Sequence, residues 1–136
     1  MRRVVILAIK PKYAEAIYAG AKCWEFRTAP PPVPGWVFLY ESAPVSAVTG
    51  KVYLAARIQG HPAVVSDLVG AFDHLGLGKG LSEEELKAYV GKAESVAACF
   101  VHAPKRFDEP IPLPKGIRPP QNGAHYHVSE EKEGAL

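Results

Sequence analysis

Apolar residues run without a break from Val4 to Ile9, and most are β-branched, which predicts a buried strand. The period then changes. Pro11 suits the first position of a helix, where its missing N–H costs nothing. Tyr13, Ala14, Ile17 and Tyr18 recur at helical spacing, and Gly20 closes a helix from Pro11 to Ala19. Cys23 to Arg27 reads as the second strand. Strand alternation puts Trp24 and Phe26 on one face and Glu25 and Arg27 on the other. Four prolines between Ala29 and Gly35 predict a stiff loop. Trp36 to Tyr40 returns to a strand, Ser42-Ala43-Pro44 marks a turn, and Val45 to Val48 leads to Gly50. Lys51 to Ile58 is a further strand. Trp24 and Trp36, both beside apolar strand residues, are assigned to the core.

The middle of the chain is helical. Val64, Leu68 and Phe72 are spaced by four and predict a helix over 63–75. Gly76, Gly78 and Gly80 then form a break. No strand precedes it, as a phosphate loop would need, so it reads as a flexible connector. Ser82 with Glu85 forms a capping box for a helix to about Val90, and Glu83 to Glu85 read as its solvated first turn. Ser95 to Ala103 alternates as a strand. Pro104 to Pro120 is proline-rich, with room for a short edge strand at Ile111 and Leu113. Gln121 to His127 is the expected last strand, and 129–136 a polar, disordered tail. Short strands, tight turns and small helices predict an α+β fold, mainly β. The expected form is a small closed β-barrel with short helices packed at its ends, in one domain over 1–128.

The chain has 136 residues and a net charge of +2, so nonspecific DNA binding is not implied by bulk charge. Any nucleic-acid surface must be a local patch. Cys23 and Cys99 lie in no CxxC pair, which argues against a zinc or redox motif. Buried free thiols are the simplest reading, although spacing alone leaves a disulfide open. The basic and apolar start, Met1-Arg2-Arg3 before Val4, is followed at once by Lys10 and Lys12 and reads as a first strand, not a signal peptide. A cytoplasmic protein without a membrane partner is expected. His125 and His127 share a strand face, but no third ligand stands at a telling spacing. No metal and no cofactor are expected, and His61, His74 and His102 are assigned to the surface.

Chemistry concentrates in Gly20-Ala21-Lys22-Cys23-Trp24-Glu25-Phe26-Arg27. Two cations flank one carboxylate, which suits an anionic or polar ligand. A solvated ion pair on an open strand is the plainer alternative. With the preceding Leu7-Ala8-Ile9-Lys10-Pro11-Lys12-Tyr13-Ala14-Glu15-Ala16-Ile17, and with Leu39 to Val48 followed by Gly50, this order resembles the ASCH domain, a family of the PUA-like superfamily of small β-barrels. Pro119-Pro120-Gln121 is similar, more loosely, to the family's closing stretch.

The resemblance implies a cleft beside the first helix, lined by Lys22, Glu25 and Arg27. It also implies binding of RNA or a nucleotide-like small ligand, in translation or RNA regulation. Some family members are enzymes, either ribonucleases or amidohydrolases acting on N4-acylated cytidines. The amidohydrolase pattern has a threonine nucleophile where this chain carries Glu25, so that activity does not transfer.

Around the three ionic residues, Lys10 adds positive charge at the helix start. Tyr40 offers a stacking ring and Ser42 a hydroxyl, while Gln121 and Tyr126 are placed to reach in from the last strand. Tyr40 at the barrel rim and Ser42 as a turn former are the alternatives. Tyr13 and Tyr18 are assigned to helix packing. A hydrolase would use Lys22 and Glu25 as its catalytic pair. A structural or protein-interaction module, in which the charges only stabilise the fold, remains the third reading.

Overall fold

The computed structural model describes residues 5–113, 115, 116 and 118. Five strands and three helices follow the order β1 (Ile6–Ile9), α1 (Pro11–Tyr18), β2 (Trp24–Arg27), β3 (Gly35–Glu41), β4 (Ala47–Gly60), α2 (Pro62–Ala71), α3 (Glu83–Val90) and β5 (Val96–Ile111). A single 3₁₀ turn, Asp73–Leu75, follows α2, so the helix expected over 63–75 is split. Pro11 starts α1 and Ala14 and Ile17 are its buried positions, as the spacing predicts. Ser82 caps α3, and Glu85 answers through the Ser82 N–H.

The strands form one sheet in the order β1-β3-β4-β5-β2. β1 runs parallel to β3, and every other pair is antiparallel. The expected closed barrel is not formed. β1 and β2 lie at opposite ends of the strand order, and no ladder joins them among the described residues. The physical reason is visible at the seam. The backbone carbonyl of Ala8 on β1 accepts a hydrogen bond from Arg27 Nη2 on β2, at 2.7 Å. A guanidinium stands there instead of a strand N–H.

Two long strands replace shorter expected ones. β4 runs through Gly50, and β5 runs through Pro104, where a proline-rich loop was expected. Pro104 is tolerated because the ladder is irregular there. Lys51 pairs with Lys105 and Tyr53 with His102, leaving Ala103 and Pro104 without partners, and Ala103 has a φ of 50°. Gly50 admits a close approach from both sides. A Cβ at this position would overlap the Lys105 carbonyl and the Tyr18 hydroxyl.

The core has three parts. Leu7, Ile9, Val37, Leu39, Val52, Leu54 and Cys99 pack with Ala14 and Ile17 of α1. Trp24, Phe26, Val65, Val69, Leu86 and Val90 join the far end of the sheet to α2 and α3. Ile6, Tyr40 and Val48 form a smaller cluster with Phe38 and Phe107. Trp24 is in the core as expected, but Trp36 is 48% exposed. Trp36 alternates with Val37 at the start of β3, so its side chain points away from the cluster that Val37 joins with α1. Both cysteines are free thiols, and burial pushes Cys99 up to about 11.

The Gly50 approach has a measurable consequence. Gly50→Ala is expected to lower unfolding free energy by about 1–3 kcal/mol through overpacking. A urea melt in which the midpoint falls and the slope stays constant checks it.

Candidate functional site

The turn after α1 brings Lys22 into place. The backbone N–H groups of Ala21 and Lys22 both donate to the Ala16 carbonyl, at 2.9 and 3.0 Å. Strand β2 then presents Glu25 and Arg27 on the face away from Trp24. Arg27 Nε and Nη2 grip Glu25 Oε2 at 2.7 and 2.6 Å. Lys22 Nζ lies 3.8 Å from Glu25 Oε1 and donates to the Lys79 carbonyl at 3.2 Å. All three side chains are buried, with residue exposures of 3% for Lys22, 7% for Glu25 and 2% for Arg27. An exposed ion pair of this kind would carry little energy, but this one sits in a low-dielectric wall. Arg27 Nη1 is buried without a hydrogen-bond partner among the described residues.

These groups line a cleft of about 540 Å³. α1 contributes Lys12 and Tyr13, with Lys10 just before it. α3 contributes Glu85, Ala88 and Tyr89, and Phe26 and Leu81 complete an apolar side. Four basic side chains face two carboxylates, so the wall is net positive. The Lys22 ammonium lies 5.5 Å from the centre of the Tyr13 ring and 5.3 Å from that of Phe26. Burial pushes Lys22 below the ordinary lysine value, and Arg27 adds to this, while Glu25 pulls the other way.

The glycine-rich break is not a loose connector. Its backbone pairs with the start of β2, the Cys23 N–H donating to the Gly78 carbonyl at 2.8 Å and Trp24 Nε1 to Leu77 at 3.3 Å. Gly80 has a φ of 76°, and a Cβ there would overlap the Lys22 stem. This segment roofs the Lys22 stem and contributes to its burial.

Sequence reasoning missed the rim. Glu85 bonds Lys12 Nζ at 2.7 Å and accepts from the Tyr13 hydroxyl. Those bonds, followed by the Ser82 N–H, hold its carboxyl down to about 2. Glu85 had been assigned to a solvated helix start and Tyr13 to packing. Their contact spans 72 residues and leaves no local signal.

The remaining expected site residues scatter. Lys10 is exposed at the cleft edge. Tyr40 is 6% exposed in the cluster with Ile6 and Val48, not at the cleft, because it alternates with Leu39 on β3. Ser42 does not line the cleft either, and its N–H donates to the Ile9 carbonyl at 2.9 Å. Gln121, Tyr126, His125 and His127 lie outside the described residues. Among the described residues no cluster of three metal-ligating side chains occurs, and no helix is long and apolar enough to cross a membrane.

No protein-family model matches the chain. A curated relative from Zymomonas mobilis subsp. mobilis, an ASCH domain-containing ribonuclease, is 28% identical over 128 residues, 89% of this chain and 82% of the relative. The crystal structure of ASCH from Zymomonas mobilis superposes with a TM-score of 0.78 at 24% identity, covering 99% of this chain and 94% of that one. Its serine-to-alanine variant gives 0.78 at 26% identity, covering 98% and 93%. The chain is homologous to these ASCH domain proteins. In this ASCH homologue the Lys22, Glu25 and Arg27 of the family-like segment share one wall, at the seam where β1 and β2 do not pair.

Two outcomes test the electrostatics. Arg27→Met leaves Glu25 buried without its main partner and is expected to cost about 3–5 kcal/mol, whereas Lys22→Met removes a desolvated charge and costs about 1 kcal/mol or less. Paired urea melts compare them. Glu85 has a folded pKa below its ordinary 4.5, so its contribution is present above 4.5 and fades as pH falls toward 2. Thermal melts of wild type and Glu85→Gln, run from pH 6 to pH 2, are expected to converge at the acid end.

Proposed function

We propose that the cleft binds RNA, or a nucleotide-like segment of it, through phosphate and base. The observation that carries this reading is the Arg27 guanidinium. It is fixed by Glu25 and Ala8 and lines a net-positive cleft, and its buried Nη1 has no hydrogen-bond partner among the described residues. A guanidinium held in this way recognises a phosphate oxygen with little ordering cost. Lys22 and the exposed Lys10 add charge, and the Tyr13 and Phe26 rings provide apolar surface for a base or ribose. Tyr13 and Phe26 take over the stacking role that Tyr40 had in the sequence reading.

A second reading, cleavage of the bound RNA, is favoured by two observations. The curated relative is named a ribonuclease, and burial lowers the Lys22 pKa, which brings its amine closer to proton transfer at neutral pH. In that reaction the ribose 2′-oxygen attacks phosphorus and its proton passes to Lys22 Nζ. The 5′-oxygen leaves and takes a proton from water, giving a 2′,3′-cyclic phosphate and a free 5′-hydroxyl. Arg27 offsets the charge that builds on the phosphoryl oxygens.

A gel-shift series with a short single-stranded RNA tests binding. Wild type is expected to bind in a salt-sensitive way, and Lys22→Met to bind about tenfold more weakly at the same salt, on the order of one charge-assisted hydrogen bond. Unchanged affinity in Lys22→Met removes the cleft as the binding site. Incubating the same RNA and resolving its ends tests cleavage. Cyclic-phosphate ends that vanish in Lys22→Met support the second reading, and intact RNA with wild type leaves binding alone.

A further inference from the structure

The face of the sheet opposite α1 carries a feature that the cleft does not use. On β3, Val37 and Leu39 point into the core with α1, so Trp36 points to the other face. Cross-strand partners share a face, and the register links Trp36 to Tyr53 and Tyr53 to His102. Three rings from three adjacent strands therefore lie in one row. Trp36 and Tyr53 meet edge to face with centroids 5.3 Å apart. His102 continues the row and stacks on Phe100 at 6.4 Å with an interplanar angle of 26°. Trp36 is 48% exposed and His102 is exposed.

The row is edged with positive charge. Lys51 and Lys105 are register partners, and Lys51 Nζ sits 4.8 Å from the centre of the Trp36 ring. Neither of the two rows of register partners, Trp36–Tyr53–His102 and Phe38–Lys51–Lys105, contains an acidic residue. The irregularity at Ala103 and Pro104 keeps His102 and Lys105 on one face although they stand three positions apart.

From this arrangement we infer that the outer face of β3, β4 and β5 is a second binding surface, a stacking platform for single-stranded nucleic acid. Bases stack on Trp36, Tyr53 and His102, and Lys51 and Lys105 hold the phosphates beside them. Cross-strand aromatics bordered by lysines match the spacing of successive unstacked bases and the charge of the backbone. An apolar protein partner would leave two lysines to be desolvated, whereas a polyanion pairs with them. The surface is distinct from the cleft and stands without the proposed function of that cleft.

The test uses oligodeoxythymidylate of about 12 nucleotides, within the usual span of one such surface. It lacks the 2′-hydroxyl and survives any ribonuclease action. Binding is expected to quench tryptophan fluorescence. Trp36→Ala is expected to weaken binding about tenfold and to remove most of the quench, with Trp36→Tyr restoring part of the affinity. Lys51→Gln with Lys105→Gln is expected to reduce the slope of log affinity against log salt by about 1.4. Binding of uridine monophosphate, measured separately, should be unaffected by these changes, and only Lys22→Met bears on it. Oligonucleotide binding that is absent, or that survives both sets of substitutions, overturns the platform. So does a dimer seen by sedimentation that Trp36→Ala dissociates, since the face then serves a second copy of the chain.

Discussion

The buried pair between Arg27 and Glu25 shapes what surrounds it. Two strands end the sheet without meeting, and an unpaired edge normally needs a cover. Here the guanidinium reaches across and satisfies the Ala8 carbonyl while Glu25 neutralises it. The same geometry prevents backbone pairing and keeps the seam open as a cleft. A buried ion pair contributes little to net stability, because desolvation offsets attraction. Its retention in this place fits specification of a local structure: a fixed donor array in a hollow that backbone closure would have filled.

Lys22 shows how a lysine becomes chemically distinctive. Its stem lies under a glycine segment whose backbone is tied to β2, and its head meets a carbonyl, a carboxylate and two rings. None of these partners replaces bulk water fully, so the charged form is disfavoured. Glu85 experiences the opposite balance. It faces Lys12, Tyr13 and a helix N-terminus at the open rim and stays ionised well into acid. One cleft thus holds a lysine pushed toward neutrality and a carboxylate held charged, about the same α1 ring.

Much of this was readable along the chain, for local reasons. Pro11 and the Tyr13-Ala14-Ile17-Tyr18 spacing mark α1, and Ser82 with Glu85 marks the start of α3. The period-two alternation of Trp24-Glu25-Phe26-Arg27 separates an apolar face from an ionic one. Prolines misled where irregular pairing accommodates them, as at Pro104 in β5. Trp36 misled because its neighbours in sequence are core residues, while its own side chain is left 48% exposed. Tyr40 misled in the reverse direction, lying in a small cluster with Ile6 and Val48 on a face expected to be a ligand rim.

Sequence alone determined α1, β2, the start of α3, the ionic triplet and the resemblance to ASCH domains, because caps, periodicity and short motifs are contacts between near neighbours. Tertiary structure decided whether the sheet closes, what roofs Lys22, and that Glu85 meets Tyr13 across 72 residues. Those outcomes depend on which strand ends up beside which and on how much water remains between them. Strand order and desolvation are properties of the packed molecule, and no short stretch of residues encodes them.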